Sequence, residues 1–310
     1  MSEKKLDSIK LNLLREVADL EGVPAGAYSL RVDGEMFGKN SSENIVIEKK
    51  TDKPGIDIYI KAGTKRESVH IPVILAETGL RELVYNDFHI GEGADVLIIA
   101  GCGIHNCGVQ DSEHSGIHTF YVGKNAKIKY VEKHYGDGDG NGKNIMNPHT
   151  VCVLEEGAYM EMETTQIKGV DSTRRKTEAT LKDKATLIVH EKIMTHGEQL
   201  AETEFVVDLQ GEDCGTHVVS RSVAKDNSRQ VFISDVLGNN RCSGHTECDA
   251  IIMDNASVVA IPKIVANNTE ASLIHEAAIG KIAGEQLTKL MTLGLDEKEA
   301  EEQIINGFLK

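Results

Sequence analysis

Hydrophobic and polar positions change their period twice along this chain. Within residues 1–25 the apolar residues recur near helical spacing, at Ile9, Leu11, Leu13, Leu14, Val17 and Leu20. Gly22 and Pro24 follow this run, and both residue types are common where helices end. The pattern therefore predicts an N-terminal helical segment, 1–27.

From about residue 28 to residue 268 the period is two. Short alternating runs are bounded by turn residues, as in IDIYI (56–60), AYMEMET (158–164) and TEFVVDL (203–209), which is typical of half-buried β-strands. A small residue precedes many runs, with most spacings near about thirty residues: Ala94, Ala126, Ala158, Ala185, Gly215, Ala256 and Ala271. Such a period indicates a solenoid or propeller. Because no helix-length segment separates the strands, a β-helix is the expected solenoid.

A helical period returns near the end of the chain. The apolar stripe runs through Leu273, Ala277, Ile279, Ile282, Leu287, Leu290 and Met291, and Gly294 closes it. Asp296 and Glu299 then have the spacing of a capping box that opens another helix. The pattern predicts a C-terminal helical segment, 269–310, that either caps the solenoid or docks a partner.

Composition narrows the functional class. The chain is 40% hydrophobic and 4% aromatic with no Trp, and its formal net charge is −15. So acidic a protein does not bind nucleic acid through a general basic surface. No apolar run approaches a membrane span, and the N-terminus has no secretory apolar region. We expect a soluble cytoplasmic protein whose six cysteines serve as thiols, metal ligands or nucleophiles.

The strongest candidate chemistry lies near the C-terminus. Cys242, His245 and Cys248 have the spacing C-x2-H-x2-C, and His275 and Glu276 follow at the start of the predicted helix. Thiolate, imidazole and carboxylate are ligands for iron and zinc. The first three side chains cannot share a face of a regular strand, so a turn at 244 would be needed. On a helix, His275 and Glu276 would diverge by about 100°, which argues against one shared ion.

A second candidate group is Cys102, His105 and Cys107, followed by His114 and His118. The spacing C-x2-H-x-C, then H-x3-H, can close a four-coordinate zinc site. The spacing is tight and the intervening glycines suit a turn, so an incidental set of turn and strand residues is the alternative.

Three other features of the sequence do not predict a functional site. Cys152 and Cys214 lie in apolar strand contexts and are expected in the core. The segment GDGDGNG (136–142) lacks the ligand pattern of a calcium loop and is expected to be a β-helix loop. The chain has no G-x4-G-K-[ST] sequence, so we expect no ATP binding through a Walker loop.

Several segments resemble the SufB/SufD family, the scaffold proteins of SUF iron–sulfur cluster assembly. They are ECDAIIM (247–253), AIPKIVANN (260–268), ASLIHEAAIGKIAGEQL (271–287) and LGLDEKEAEEQIINGF (293–308). Upstream, NDFHIGEGADVLIIAGCGIHN (86–106) and VVSRSVAKDNSRQVF (218–232) resemble the short archaeal-type members. The resemblance covers roughly residues 65–310. It implies a mainly β fold, a right-handed parallel β-helix core (28–268) with an N-terminal helix and a C-terminal helical segment.

The resemblance also implies a function. The chain would be a non-enzymatic scaffold that builds a transient iron–sulfur cluster, 4Fe–4S or 2Fe–2S, and transfers it to apoproteins. Cys248 would accept sulfur from a donor or ligate iron, and His275 and Glu276, which match the family's HE pair, would complete the site. A SufC-type ABC ATPase would dock on the C-terminal segment.

The resemblance further implies that two scaffold chains share the site, as a homodimer or a SufB/SufD-type heterodimer. In a homodimer, Cys248 and Glu276 of one chain would meet His275 of its partner and give two equivalent sites. Two other functions stay open: a partner subunit that regulates the ATPase and holds no metal, and a β-helix enzyme acting on saccharides. The few aromatic residues weigh against the enzyme, because saccharide-binding faces usually need stacking aromatics.

Overall fold

The computed structural model describes residues 6–310, so the first five residues of the predicted N-terminal segment lie outside the described residues. Helix α1 spans Ser8–Ala18, and Asp7 caps it by accepting a hydrogen bond from the Lys10 backbone N–H at 2.9 Å. Its apolar face buries Leu13, Leu14 and Val17. The predicted N-terminal helix is confirmed over Ser8–Ala18, and a strand begins at Ala27, the last residue of the predicted segment.

The rest of the chain up to Gly280 forms two long sheets. In spatial order, sheet A contains β2 (Glu35–Asn40), β1 (Ala27–Val32), β5 (Lys65–Leu75), β7 (Asp95–His105), β9 (Lys127–Asp137), β12 (Tyr159–Lys168), β14 (Thr186–Thr195), β16 (Cys214–Ala224), β18 (Cys242–Ile252) and β20 (Ala271–Gly280). Sheet B contains β3 (Ile45–Lys49), β4 (Gly55–Ile60), β6 (Arg81–Ile90), β8 (Ser112–Val122), β10 (Asn144–Met146), β11 (His149–Leu154), β13 (Ser172–Leu181), β15 (Leu200–Leu209), β17 (Arg229–Gly238) and β19 (Ser257–Ala266).

These strands make a parallel β-helix, as predicted. The chain alternates between the sheets, and strand pairs are parallel except β1–β2 and β3–β4 at the N-terminal end. The small residues of the repeat explain the coil spacing: Ala94, Ala126, Ala158 and Ala185 are fully buried and directly precede strands of sheet A. Side chains alternate between the interior and the outer surface, so residues one coil apart stack in columns.

Helix α1 lies on the outer face of sheet A, and two glycines make room for it. A Cβ at Gly101 would lie 2.6 Å from the Val17 carbonyl oxygen, and one at Gly103 would lie 3.0 Å from the Leu13 Cβ. Both glycines belong to β7. The glycines of the AGCG sequence are therefore required by helix packing.

The C-terminal prediction needs one correction. Residues 271–280 form strand β20 and not the start of a helix; α2 spans Gly284–Met291 and α3 spans Glu297–Phe308. The alternate residues Ala271 and Leu273 pack on the core, and the strand pairs with β18 along ten positions. Pairing with an existing sheet edge thus overrode the helical apolar stripe. The capping box is confirmed, because Asp296 accepts from the Glu299 N–H at 2.8 Å and Glu299 accepts from the Asp296 N–H at 2.9 Å.

The C-terminal end of the β-helix is uncovered within the described residues. Strands β19 and β20 pair on one side only, with β17 and β18. Ile264 and Ile279 stack on the buried Val236 and Ala250, yet they remain 40% and 39% exposed because no further coil follows. Helix α3 instead packs near the strand ends, with Ile305 against Val223.

Candidate functional site

Strand β18 divides the predicted C-x2-H-x2-C group between its two faces. Cys242 and Cys248 point inward and are buried, whereas His245 lies on the outer face. The strand is regular along this stretch and has no turn at Gly244. The three side chains therefore do not form one cluster, as strand geometry predicts.

Cys248 sits in a polar column inside the β-helix. Glu191, Ser220, Cys248 and Ala277 are in register on neighbouring strands, and the Ser220 hydroxyl donates to Glu191 Oε2 at 2.8 Å. Burial, with the nearby charges of Glu191 and Asp249, raises the pKa of the Cys248 thiol to about 12. The closed interior thus keeps this thiol protonated.

His275 also faces inward, one strand closer to the open end. Its Nδ1 lies 2.7 Å from the Thr246 hydroxyl, and its Nε2 is buried with no hydrogen-bond partner among the described residues. Burial, with the charge of His245, lowers the pKa of His275 and favours the neutral imidazole. A neutral imidazole with a free nitrogen is the form that binds metal.

Glu276 points the opposite way from its neighbour His275. Its side chain is 67% exposed on the outer face, and its Oε2 lies 3.5 Å from His245 Nε2. Because β20 is a strand, adjacent side chains project to opposite faces. One chain therefore brings Cys248 and His275 to the interior and leaves Glu276 outside.

The outer face carries a second group of possible ligands, built from β16 and β18. His217, His245 and Glu247 offer ligand atoms that all lie within 4.8 Å of one another. His217 Nε2 is 2.9 Å from Glu247 Oε1, His245 Nδ1 is 3.7 Å from the same oxygen, and the two imidazole rings stack with centroids 5.0 Å apart. Two imidazoles and a carboxylate are a donor set for ferrous iron or zinc.

This outer group borders a surface groove of about 440 Å³ lined by His190, His217, Arg221 and Glu247, among others. His217 and Glu247 were missed by the sequence reasoning. His217 is in register with His245, 28 positions later and one coil further along the β-helix, and Glu247 follows His245 by two positions on the same face. Combining the coil length with strand alternation would have placed them together.

The group predicted as a zinc site is also divided. Cys102 is buried among apolar residues such as Val73, Ile104 and Met146. Burial, with the charges of Glu82 and Glu132, raises the pKa of its thiol well above the usual range. Cys107 is exposed in the turn after β7, with its Sγ 3.0 Å from His105 Nε2. The structure thus groups His105 with Cys107 and leaves Cys102 in the interior.

The two remaining cysteines lie in the core, as expected. Cys152 and Cys214 are each 1% exposed and belong to the main core. Burial raises the pKa of Cys152 to about 12 and that of Cys214 to about 11, so both stay as thiols.

None of the helices described within residues 6–310 is long and apolar enough to cross a membrane.

Fold and site together define a class: a parallel β-helix with a buried thiol, imidazoles and carboxylates on its last coils, suited to iron or zinc. The profile of the family "SUF system FeS cluster assembly, SufBD core domain" matches residues 83–308. The chain belongs to this family of iron–sulfur cluster assembly proteins.

Relatives cover most of the chain. An iron–sulfur cluster assembly SufBD family protein of Methanocaldococcus jannaschii is 29% identical over 272 residues, 86% of this chain and 85% of the relative. One of Pyrococcus horikoshii is 25% identical over 319 residues, 97% and 96% of the two chains. The iron–sulfur cluster assembly protein SufB of Bacillus subtilis is 29% identical over 227 residues, 71% of this chain and 47% of SufB.

Proposed function

We propose that this protein is a cytoplasmic, non-enzymatic scaffold on which an iron–sulfur cluster is assembled before transfer to apoproteins. The observation that carries the proposal is the arrangement on β18, where the Cys248 thiol lies on the inner face and His245 and Glu247 lie on the outer face. A soft sulfur ligand thus lies on the inner face of β18, and harder nitrogen and oxygen ligands lie on its outer face, near the open C-terminal end of the β-helix. In this proposal the protein binds iron and sulfide, assembles them into a cluster and passes that cluster on.

Each group has a role in the proposal. Cys248 accepts sulfur or ligates iron, and the free nitrogen of His275 is a second interior ligand. On the outer face, His217, His245 and Glu247 hold ferrous iron, and Glu276 reaches toward His245 from the next strand. Strand β20 must move for Glu276 and Cys248 to bind the same cluster, because they occupy opposite faces of the sheet.

The open end supports a shared site in a homodimer. Cys248 lies on β18, one strand before the uncovered edge. His275 lies on β20, the strand that forms this edge. Two copies that meet there bring Cys248 and Glu276 of one chain toward His275 of the other. The SufC-type ATPase would dock on α2 and α3. Helix α2 buries no residue, its last residue Met291 is 45% exposed, and Leu293 just after it is 74% exposed. ATP hydrolysis by that partner would drive the movement of β20.

Anaerobic reconstitution with ferrous iron and inorganic sulfide tests the scaffold. We expect the visible sulfide-to-iron absorption in the wild type and its loss in Cys248→Ala, with and without the ATPase. Cys152→Ala is the matched control, since it also removes a buried core thiol. Absence of the band in the wild type, with stimulation of the ATPase intact, would favour a regulatory subunit without metal. A β-helix enzyme acting on saccharides is the remaining alternative, and turnover of a saccharide would favour it.

Mixed dimers test the shared site. A Cys248→Ala chain paired with a His275→Ala chain leaves one intact site, with Cys248 and His275 from different chains. Wild type paired with a chain carrying both substitutions leaves none. We expect about half of the wild-type absorption from the first dimer and little from the second. Equal absorption from the two dimers would refute a site shared in this way.

A further inference from the structure

Positive side chains collect in the groove of about 440 Å³ that borders the outer group of metal ligands. Lys192, Arg221 and Lys310 all line this groove. Lys192 Nζ donates to the main-chain oxygen of Lys310 at 2.7 Å, so the segment after α3 forms one rim. The chain as a whole has a formal net charge of −15, and three cations around one depression reverse the sign of the surface locally. Such a local reversal attracts small anions.

Strand register places these cations next to the metal ligands. Val219 on β16 is 8% exposed and lines the groove, in register with His190 on β14 and Glu247 on β18. Arg221 follows Val219 by two positions on the same face, in register with Lys192. Two positions along a strand span about 7 Å, and neighbouring strands lie about 5 Å apart. Arg221 and Lys192 are therefore long enough to reach a ligand bound at Glu247.

Arg221 is the cation without a competing partner. Its side chain is exposed and makes no ion pair or hydrogen bond with any residue between 6 and 310. Asp249 is in register with it on β18, yet the two side chains form no ion pair. A guanidinium presents parallel N–H donors that match the two oxygens of a carboxylate. Arg221 is thus available to an added carboxylate.

The carboxylates on the outer face of the groove are already paired. Glu163 accepts a hydrogen bond from Lys129 at 2.7 Å, and Glu247 lies 2.9 Å from His217 Nε2. These two acidic groups therefore do not neutralise the cations on the opposite side of the groove. An anion that enters finds positive charge at one end and the metal ligands at the other.

The coordination needs of the metal point to the kind of anion. The outer group supplies three ligands, whereas zinc or ferrous iron binds about four to six. A molecule with several carboxylates can give oxygen ligands to the ion through one end and pair with Arg221 through the other. The volume of about 440 Å³ lies within the range of small-molecule pockets, about 300–1,000 Å³, and leaves room for such a chelator.

We propose that the groove binds a small polycarboxylate that carries ferrous iron, so that the ion reaches the outer group as a carboxylate complex. The proposal rests on the proposed function, because it uses the same metal ligands. One carboxylate pairs with Arg221 and Lys192, and the others stay on the ion. His217, His245 and Glu247 displace water from the ion. The iron stays ferrous throughout, so the exchange needs no oxidant or reductant.

Equilibrium dialysis of the full-length protein with cobalt(II) and radiolabelled citrate tests this proposal without sulfide or cluster formation. Cobalt(II) replaces ferrous iron because it does not oxidise in air. We expect the wild type to retain cobalt and citrate together, and to retain about tenfold less citrate or lower when cobalt is left out, since one of two linked contacts is then missing. Acetate at the same concentration should not displace citrate, because a single carboxylate cannot contact the ion and Arg221 together.

Substitution of Arg221 separates the anion contact from the metal ligands. Arg221→Gln should weaken citrate retention about tenfold or more, the scale of one lost charged hydrogen bond, and leave the affinity for cobalt alone unchanged. Arg221→Lys keeps the charge without the planar fork and should recover part of the retention. The matched control is Arg229→Gln, the same substitution at an exposed arginine at the start of β17. It should retain citrate like the wild type.

Citrate that binds equally well without cobalt would overturn the proposal, as would equal retention by Arg221→Gln and the wild type. Displacement of citrate by acetate would also overturn it. Cobalt binding without citrate retention would refute this proposal alone and leave the outer metal ligands of the scaffold standing. Absence of cobalt binding in the wild type would refute the outer ligands as well, while the cluster band that depends on Cys248 is tested separately by reconstitution.

Discussion

Arg175 is the charge whose removal should destabilise the β-helix most. Its side chain is 3% exposed in the interior, bonded to Glu132, with its Nε 3.7 Å from Glu191 Oε1 and its terminal nitrogen 3.2 Å from His134 Nδ1. Burial alone would raise the pKa of Glu132, but the Arg175 charge, with His134, outweighs it and holds that pKa well below its usual range. Glu132 is therefore ionised because Arg175 is present.

Arg175→Met keeps the length of the side chain and removes the charge, which leaves a buried carboxylate without its partner. Breaking a buried ion pair in this way costs about 3–5 kcal/mol of the free energy of unfolding. The matched control is Arg241→Met, the same substitution at a surface arginine that pairs with Asp213 at 2.8 Å and 2.9 Å. We expect no resolvable change there, because exposed pairs are screened by water.

The pH dependence gives a second test with a definite sign. In the wild type the lowered pKa of Glu132 contributes stability above the ordinary carboxyl range, and this contribution is lost on acidification. In Arg175→Met burial dominates and raises the pKa of Glu132. Lowering the pH then protonates the carboxyl, which removes the unpaired buried charge and reduces the loss of stability. The stability difference between the two proteins should thus be largest near neutral pH and shrink below about pH 5.

Urea unfolding followed by circular dichroism measures the difference, and amide hydrogen exchange in β9, β13 and β14 shows whether the loss is centred on the Arg175 coil. Solenoids can unfold in parts, so the exchange data serve as an independent probe. The reasoning fails if Arg175→Met is no less stable than Arg241→Met, or if its deficit grows on acidification.

Three further predictions concern the thiols, the outer ligands and the last helix. Cys248, whose pKa is raised to about 12 by burial, should resist iodoacetamide at neutral pH while Cys107 reacts; peptide mapping that finds equal labelling would contradict this. His217→Ala should weaken binding of cobalt(II), a spectroscopic stand-in for ferrous iron, by about tenfold or more, whereas His149→Ala should not; equal affinities by titration would rule out the outer site. Asp296→Ala should lower the stability of α3 by about 1 kcal/mol in hydrogen exchange while Asp296→Asn retains most of it, and equal losses would dismiss the cap.

Strand alternation and the coil period made the fold class predictable from the sequence. The same information misplaced residues 271–280, because Leu273 and Ala277 satisfy both a helical stripe and a two-residue alternation. The exposed edge of β18 decided between them through ten paired positions, and such long-range pairing is not encoded in local spacing.

The candidate site was predictable in its residues more than in its geometry. Cys248 and His275 emerged from their chemistry and the family resemblance, but the opposite orientation of Glu276 depends on β20 being a strand. His217 was identified only in the structure, where the stacking of coils places it against His245. The contact between His105 Nδ1 and Asp137 Oδ1, at 2.6 Å, could not be predicted for the same reason, because the two residues lie 32 positions apart in the sequence.

The two ends of this β-helix differ in how their strands pair, and the difference bears on the proposed homodimer. Among residues 6–310, the C-terminal end finishes in parallel strands whose outer edges are unpaired, whereas the N-terminal end finishes in the antiparallel pairs β1–β2 and β3–β4. A second copy that joins through the C-terminal edge uses the same edge on both chains, so the contact is closed by a twofold axis. In the proposed homodimer this contact would cover both C-terminal edges, so the parallel strands would no longer offer an open edge to a further chain.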